Sequence, residues 1–411
     1  MNLQNTAHSG GALSKKQAVE VPGYAWVILV VVFLASVAAP LNQFKVPPIM
    51  SVLMETFQIG LTMAGMLMSV FAVTGFILAI PAGVIMQKLG PKTTGLIAIG
   101  FLAAGAVMGA LSTSIGLMMA SRVIEGVGMG LIAVVAPALI AIWFPAESRG
   151  TPMGIWATWM PMGSIIMYSL APTLSSAMGW QVVWWFGAGF TLIIFILYWA
   201  LIKMPPVPST GSKEAGSPAK EQPRLREGMA NRNLWLLAVS FCCFCIVAVT
   251  LNIFLPTFLA AERGYSLASA SFMVSVGMIV TLVVSPLSGW ISDRIGSRKL
   301  VLIVPSLALV VMPLFPFSIS GWMIPVYMIL QGVIIGAIPT AAFASVPELM
   351  GNPQLVGIGM AVMAFSQNLG IIIGPTLFGI LVETGGWVTA GYALIPFAII
   401  GAITAWLVKV R

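Results

Sequence analysis

Gly83-Val84-Ile85-Met86-Gln87-Lys88-Leu89-Gly90-Pro91-Lys92 returns 206 residues later, in fuller form, as Gly289-Trp290-Ile291-Ser292-Asp293-Arg294-Ile295-Gly296-Ser297-Arg298-Lys299. The offset is half of a 411-residue chain. Each copy is a short basic loop that closes the second long apolar segment of its half. A duplicated unit of six membrane segments accounts for the repeat. Duplication in a membrane protein points to a transporter whose site lies between the halves.

Hydrophobic residues form 59% of the chain and charged residues 7%, against roughly 25% charged in an ordinary soluble protein. A soluble fold cannot cover that much apolar surface, so lipid is the solvent. Crossing ~30 Å of hydrocarbon takes roughly 20 apolar residues. Twelve stretches qualify: about 24–44, 61–86, 94–112, 115–142, 152–175, 181–203, 233–259, 267–291, 300–319, 322–346, 356–381 and 388–408. Backbone groups cannot go unpaired in lipid, and strand-like alternation is absent, so these are helices. The expected fold is an all-α membrane protein, with twelve transmembrane helices in two pseudo-symmetric six-helix bundles. A tail (1–23) precedes the first bundle (24–203), a Pro-, Ser- and Gly-rich linker (204–231) leads to the second bundle (232–408), and residues 409–411 end the chain.

The net charge of +8 is a matter of topology and not a nucleic-acid footprint. With the N-terminus inside and the spans alternating, sixteen of nineteen basic residues fall on the inner side. Only Lys45 and Arg263 lie near the outer side, and Arg122 lies within a span. Cytoplasmic loops collect Lys and Arg, which places both termini in the cytoplasm and the chain in the plasma (inner) membrane. Residues 1–23 are polar and hold no apolar core, so no cleavable signal peptide is expected. Cys242, Cys243 and Cys245 crowd one apolar span, with no histidine near them to complete a metal site, and are expected to be packing residues. His8, the only histidine, lies in the tail, which removes every histidine-dependent catalytic constellation. No G-x-x-x-x-G-K loop is present to bind ATP. The protein is expected not to be an enzyme, to need no cofactor or metal, and to work as a monomer on a small-molecule substrate within the lipid bilayer.

These residues resemble the major facilitator superfamily over the whole chain. Gly289, Asp293, Arg294, Gly296, Arg298 and Lys299 match that family's G-x-x-x-D-[RK]-x-G-x-[RK]-[RK] loop. The first copy keeps Gly83, Lys88, Gly90 and Lys92 but has Gln87 in place of the acid. Arg122-Val123-Ile124-Glu125-Gly126-Val127-Gly128 is similar to the family's R-x-x-[QE]-G-x-G in span 4, and Pro145–Gly150 looks like its loop between spans 4 and 5. Span 5 departs from the family's drug/proton antiporters, because Gly154 to Gly163 lacks their Gly-Pro pair. The first half resembles the cyanate/nitroimidazole-type branch.

An ionisable group within a span costs about 2.5–3.5 kcal/mol, so each one needs a reason. Arg122 and Glu125 are three apart, on one helix face, and can pair. Glu125 lies roughly 15 Å into its span at 1.5 Å per residue. Two readings stand: Glu125 accepts a proton while Arg122 or cargo partners it, or the two form a structural ion pair. Asn42 and Lys45 share a face near the outer end of span 1, which lines the cavity in the resembled family. They offer an amide and a cation to an anion; the alternative is a lysine reaching for the outer interface. Trp156 and Trp159 in span 5, with Asn252, Gln331, Gln367 and Asn368 in the second half, complete the candidate substrate-binding set, although each on its own also suits helix packing. The second half supplies no matching charge in a span, which favours a monoanion or a neutral solute over a dianion.

The reading is therefore a secondary transporter of a small organic or pseudohalide monoanion, with a proton as the expected co-ion. Two rivals stay open: a proton-driven exporter of amphipathic drugs, and a transporter-like sensor that binds without turnover. Gly83, Lys88, Gly90, Gly289, Asp293, Arg294, Gly296 and Arg298 form the expected inner latch. An acid facing a helix N-terminus is worth roughly 0.3–1 kcal/mol, and up to ~2 kcal/mol when partly buried. Asp293→Asn should shift the resting state toward an open inner gate, read as faster modification of inner-gate cysteine probes; an unchanged rate would remove Asp293 from the latch.

Overall fold

The computed structural model describes residues 22–78, 81–144, 150–204, 230–351 and 355–410, and the side chain of Asp293 lies outside the described residues. The tail, the loop before Gly150 and nearly all of the linker lie outside them too, together with His8. Every regular element among the described residues is a helix.

Span 1 (Gly23–Gln43) ends where the chain reaches Pro47 and Pro48, which carry no N–H to continue it. A 3-10 turn (Pro47–Ile49) and a short helix (Met50–Phe57) follow, the latter closed by Gln58 in the left-handed region. Sequence periodicity did not anticipate this short helix. Span 2 runs Leu61–Leu78 and is followed by a separate helix, Pro81–Leu89, in place of the single stretch expected over 61–86. Gly90, at φ +78°, turns the chain into span 3 (Pro91–Ala110), which begins with proline at a position where a missing N–H costs nothing. Spans 4 (Ile115–Trp143) and 6 (Gln181–Leu201) are continuous, but span 5 is broken at Thr158 into Gly150–Ala157 and Trp159–Met178.

The second half repeats the plan. Spans 7 (Arg232–Arg263) and 8 (Leu267–Ile295) start from Asn231 and Ser266, whose side-chain oxygens accept from the first free backbone N–H groups. Span 9 (Arg298–Val311) continues into a 3-10 turn, and span 10 is Met323–Met350. Spans 11 and 12 are linked by one helical run, Val356–Tyr392, bent at Gly386 (φ +79°), before Ile395–Leu407. Nine helical stretches of the described chain are long and apolar enough to cross a membrane by themselves. The broken span 5, the short span 9 and the span fused to its neighbour complete the twelve.

Packing obeys the duplication. Within the first half span 3 lies on 4 and 6, span 2 on 4, and span 1 on 5 and 6; within the second, span 9 lies on 10 and 12, span 8 on 10, and span 7 on 11 and 12. The seam between halves is built from spans 2 and 11 and from their pseudo-symmetric counterparts, 8 and 5. Glycines let these backbones approach. A Cβ at Gly65 would sit 2.6 Å from the carbonyl oxygen of Pro375, and one at Gly379 would sit 2.7 Å from that of Leu61.

The two ends of the seam differ. Near the short-loop end, buried side chains such as Leu41, Leu67, Met118 and Trp184 join those of the second half in one continuous core. At the basic-loop end, Ile28, Ile99, Leu139 and Tyr198 belong to a core of the first half alone. Several hydrogen bonds between described residues cross the seam toward the short-loop end. Thr62 donates from its backbone N–H (3.0 Å) and its hydroxyl (2.6 Å) to the Glu383 carboxylate, so span 11 caps the start of span 2. The Ser271 hydroxyl donates to Pro48 (3.4 Å), and Ser69 bonds with Ile372 and Thr376. The seam is sealed at the short-loop end.

Removing the cap should loosen that seal. Loss of such hydrogen bonds costs about 1 kcal/mol net, which is roughly fivefold in an equilibrium. In a background with Cys242, Cys243 and Cys245 replaced by alanine and Ala64→Cys as reporter, Glu383→Ala should raise maleimide labelling from the short-loop face several-fold. Equal labelling in both proteins would mean that the cap contributes nothing to closure.

Candidate functional site

The site is assembled where span 1 ends. Its last carbonyls would normally be orphaned, and Pro47 removes the N–H that would have served Gln43. Arg122, from the first third of span 4, reaches across to take them. One guanidinium nitrogen donates to the carbonyl of Asn42 (2.7 Å), the other to that of Gln43 (2.8 Å), and Nε donates to Leu67 of span 2 (3.2 Å). The ring of Phe71 lies 4.6 Å beneath the guanidinium. A cation at a helix C-terminus also meets the negative end of its dipole.

Arg122 pairs with Glu125 as the three-residue spacing predicts, at 2.5 Å. What spacing did not predict is that the second carboxylate oxygen of Glu125 accepts from Lys45. Lys45 therefore neither reaches an interface nor faces open space. It is fully buried, as are Arg122 and Glu125. Its ammonium also donates to Asn42 Oδ1 (3.1 Å) and sits 4.7 Å from the centre of the Trp184 ring. Asn42 is held in turn by donating to Ala38 (2.9 Å) and to Thr191 of span 6 (3.0 Å). In this conformation its amide orients Lys45. The result is a dry triad, two cations on one carboxylate, carrying a formal charge of +1.

Glycines make the seat. A Cβ at Gly105 would lie 2.6 Å from Glu125 Cγ, one at Gly109 would collide with the Trp184 indole, and one at Gly187 would lie 2.5 Å from Asn42 Oδ1. Spans 1, 2, 3, 4 and 6 thus converge on one carboxylate. Trp184, Thr191, Phe71 and these glycines were missed in the sequence. The Gly105/Gly109 pair, one helical turn apart on one face, was the readable signal for close approach.

The remaining candidates are dispersed. Trp156 and Trp159 stack at 5.8 Å beside the break in span 5, and Trp156 Nε1 donates to Ser36 of span 1 (2.9 Å). Asn252 and Gln331 do meet, with Gln331 Nε2 donating to Asn252 Oδ1 at 3.4 Å. The Tyr168 hydroxyl of the first half donates to the Asn252 carbonyl (2.9 Å). Asn368 bonds its own helix at Ala364 (2.9 Å), with Gly75 of span 2 close by, and Gln367 is half-buried beside it. These residues do not form one cluster with the triad, and the ring contact between Phe44 and Tyr168 (6.4 Å) links the two groups.

In the expected latch, Gly83 and the exposed Lys88 lie on the short helix before Gly90. Gly289, Asp293 and Arg294 lie on the last turns of span 8, which Gly296 closes at φ +69°. Arg294 stacks over Trp290 (5.1 Å). Arg298 donates to the Ala344 carbonyl and lies 3.8 Å from Glu348, both on span 10, a contact that the loop motif alone did not reveal.

Comparison with known proteins agrees with this architecture. The chain is 24% identical over 389 residues to a hexuronate transporter of Bacillus subtilis (strain 168), covering 89% of this chain and 90% of that one. It is 24% identical over 412 residues to a D-galactonate transporter of Escherichia coli O6:H1, covering 92% and 94% respectively. In fold it is similar to the crystal structure of a bacterial homologue of the human lysosomal transporter Spinster, inward-facing and unoccupied. That likeness has a TM-score of 0.78 at 16% identity and covers 95% of this chain and 98% of that one. The family model of the Major Facilitator Superfamily matches residues 32–352 and 250–411. The chain belongs to the Major Facilitator Superfamily.

Proposed function

We propose that the protein is a secondary transporter of small organic monoanions that works by alternating access and carries a proton with its cargo. The observation that carries this reading is the buried triad, in which Lys45 and Arg122 share the single carboxylate of Glu125. Two cations with one anion between them make a site that a second anion can enter by displacing the first. The relatives named for hexuronate and D-galactonate, both organic anions, support the class of cargo.

The chemistry follows from competition. A cargo carboxylate and the Glu125 carboxylate seek the same ammonium. Protonating Glu125 removes its claim on Lys45, so proton and anion each raise the affinity for the other, and that linkage is reciprocal. In the conformation described, the triad is closed to solvent, so cargo reaches it only after the seam moves. The positively charged loops fit a cytoplasmic basic end, with both termini on the cytoplasmic side of the plasma membrane. Sealing at the short-loop end then supports reading this as the inward-facing member of the cycle of a monomer whose two halves rock about the seam. Asp293, Arg294 and Arg298 would steady the opposite, inner-closed member.

Two measurements on the purified protein test the reading. Cyanate, lactate and gluconate should each be tried in a thermal-shift assay, where ligand at a hundred times its Kd stabilises by about 2.7 kcal/mol. At least one should raise the Tm of the wild type and of Lys45→Arg but not of Lys45→Gln. Amphipathic cations stabilising wild type and Lys45→Gln alike, with no anion response, would return the assignment to drug export.

Glu125→Gln gives the second. Removing the carboxylate leaves two buried cations facing each other, at a cost of about 3–5 kcal/mol, so its Tm should fall. The anion should then rescue it by more than it stabilises the wild type, and its binding should no longer vary with pH. An anion response that keeps the wild-type pH profile would remove Glu125 from coupling.

A further inference from the structure

The second half of the seam holds a polar cluster of a different kind. Gln331 is 3% exposed, and its Oε1 has no hydrogen-bond partner. Among the described residues, the one hydrogen bond its side chain makes is the long one from Nε2 to Asn252. Tyr327, one helical turn earlier on the same face of span 10, is 5% exposed and its hydroxyl is likewise unpartnered. An unmade hydrogen bond at a buried polar group is costly, and lipid cannot supply one. Two such groups side by side are either a standing defect or a receptor.

Their position favours the receptor. Asn252, half-buried beside Gln331, receives the Tyr168 hydroxyl from the opposite half, and the Tyr168 ring packs on Phe44, the neighbour of Lys45. A continuous path of contacts therefore leads from the cation pair of the first half to the amide and phenol of the second. The chemistry at its far end is neutral. Among the described residues, the cations of the second half are Arg232, Arg263, Arg294, Arg298, Lys299 and Lys409, at or beyond the ends of spans. An amide oxygen seeks a donor, an amide N–H seeks an acceptor, and a phenol can serve as either. A hydroxyl, donor and acceptor at once, answers all three, whereas a second carboxylate would face the bare Gln331 oxygen.

We propose that Tyr327, Gln331 and Asn252 form a half-site that reads the hydroxyl groups of a hydroxylated monocarboxylate, whose carboxylate is held by Lys45. This rests on the anion-transport reading and adds the cargo's second recognition element. It also gives the two halves separate tasks: the first holds charge, and the second counts hydroxyls.

Binding of gluconate and of hexanoate, equal in carbon number and charge, measured by thermal shift and isothermal titration, tests this. The proteins are wild type, Gln331→Leu, Tyr327→Phe and Lys45→Gln. Wild type should prefer gluconate at least tenfold. Gln331→Leu should lose about tenfold for gluconate, one hydrogen bond's worth, with hexanoate changed less than threefold; Tyr327→Phe, the milder change, should do the same to a smaller degree. Because each variant deletes an unpartnered oxygen, at the cost in Gln331→Leu of one long bond to Asn252, the ligand-free Tm should stay level or rise as gluconate affinity falls. Equal losses for both acids with a lowered ligand-free Tm would make these residues structural and overturn the proposal. So would a wild type that does not discriminate, or variants that keep the wild-type ratio. If Lys45→Gln loses both acids while Gln331→Leu loses neither, or if neither acid binds wild type while cyanate or lactate does, the half-site alone fails; if none of these anions binds wild type, the anion reading fails and takes the half-site with it.

Discussion

Arg122 is the tie on which the first half depends. Span 1 stops short because two prolines follow it, and its last carbonyls need donors that no lipid can provide. A single guanidinium from span 4 takes the carbonyls of Asn42 and Gln43, adds Leu67 of span 2, and keeps one edge for Glu125. Three helices are thus pinned by one side chain whose fork matches several acceptors at once, a task a lysine's point charge could not perform. The glycines at 105, 109 and 187 follow from this. Once a carboxylate, an ammonium and an indole must fit between spans 1, 3, 4 and 6, the backbones beside them have to give up their Cβ atoms.

Buried ion pairs contribute little net stability, since desolvating the charges offsets most of their attraction, while breaking one is expensive. The triad is therefore poor as a brace and good as a device that resists half-measures. Lys45 can leave Glu125 only if something else carries negative charge or if Glu125 loses its own. That constraint has no counterpart in the second half, where the corresponding depth holds amides and a phenol. The seam between halves is made of small residues and hydrogen bonds, which separate at lower cost than charges. Glu383 capping Thr62 at one end is exposed to water and can be re-solvated, so the seal can open while the triad stays whole.

Much of the architecture was legible because it rests on composition and periodicity. Lipid forces long apolar helices, the repeated basic loop reveals the duplication, and the three-residue interval between Arg122 and Glu125 places both on one face. What periodicity cannot give is any contact between distant segments. Lys45 and Glu125 are 80 residues apart, and Thr62 and Glu383 are 321 apart. No single-helix pattern signals either. Local breaks escaped for a different reason. Thr158 sits inside an uninterrupted apolar stretch, and the helix at 50–57 is too short for a hydrophobic period to stand out, whereas the bend at Gly386 falls in the polar interval expected between spans 11 and 12. Lys45 looked accessible in sequence because it lies near the expected end of a span, yet helix and 3-10 turn continue to Phe57, and residues 46–50 are buried.

The formal charge of the triad bears on how such a carrier could return empty. Empty, with Glu125 ionised, the site holds +1. Loaded with a monoanion and a proton on Glu125, it holds two cations and one anion and is again +1, the cargo carboxylate having replaced the side-chain carboxylate at Lys45. Both forms present the same charge to the surrounding apolar helices, so the electrostatic cost of rocking the halves is alike in each. The proton alone would leave two bare cations at +2, a form that a dry interior penalises heavily. The anion alone would crowd two carboxylates around Lys45, where like charges repel. Under the proposed function, a site of two cations and one carboxylate would favour movement when it is empty or fully loaded and oppose the forms that would leak.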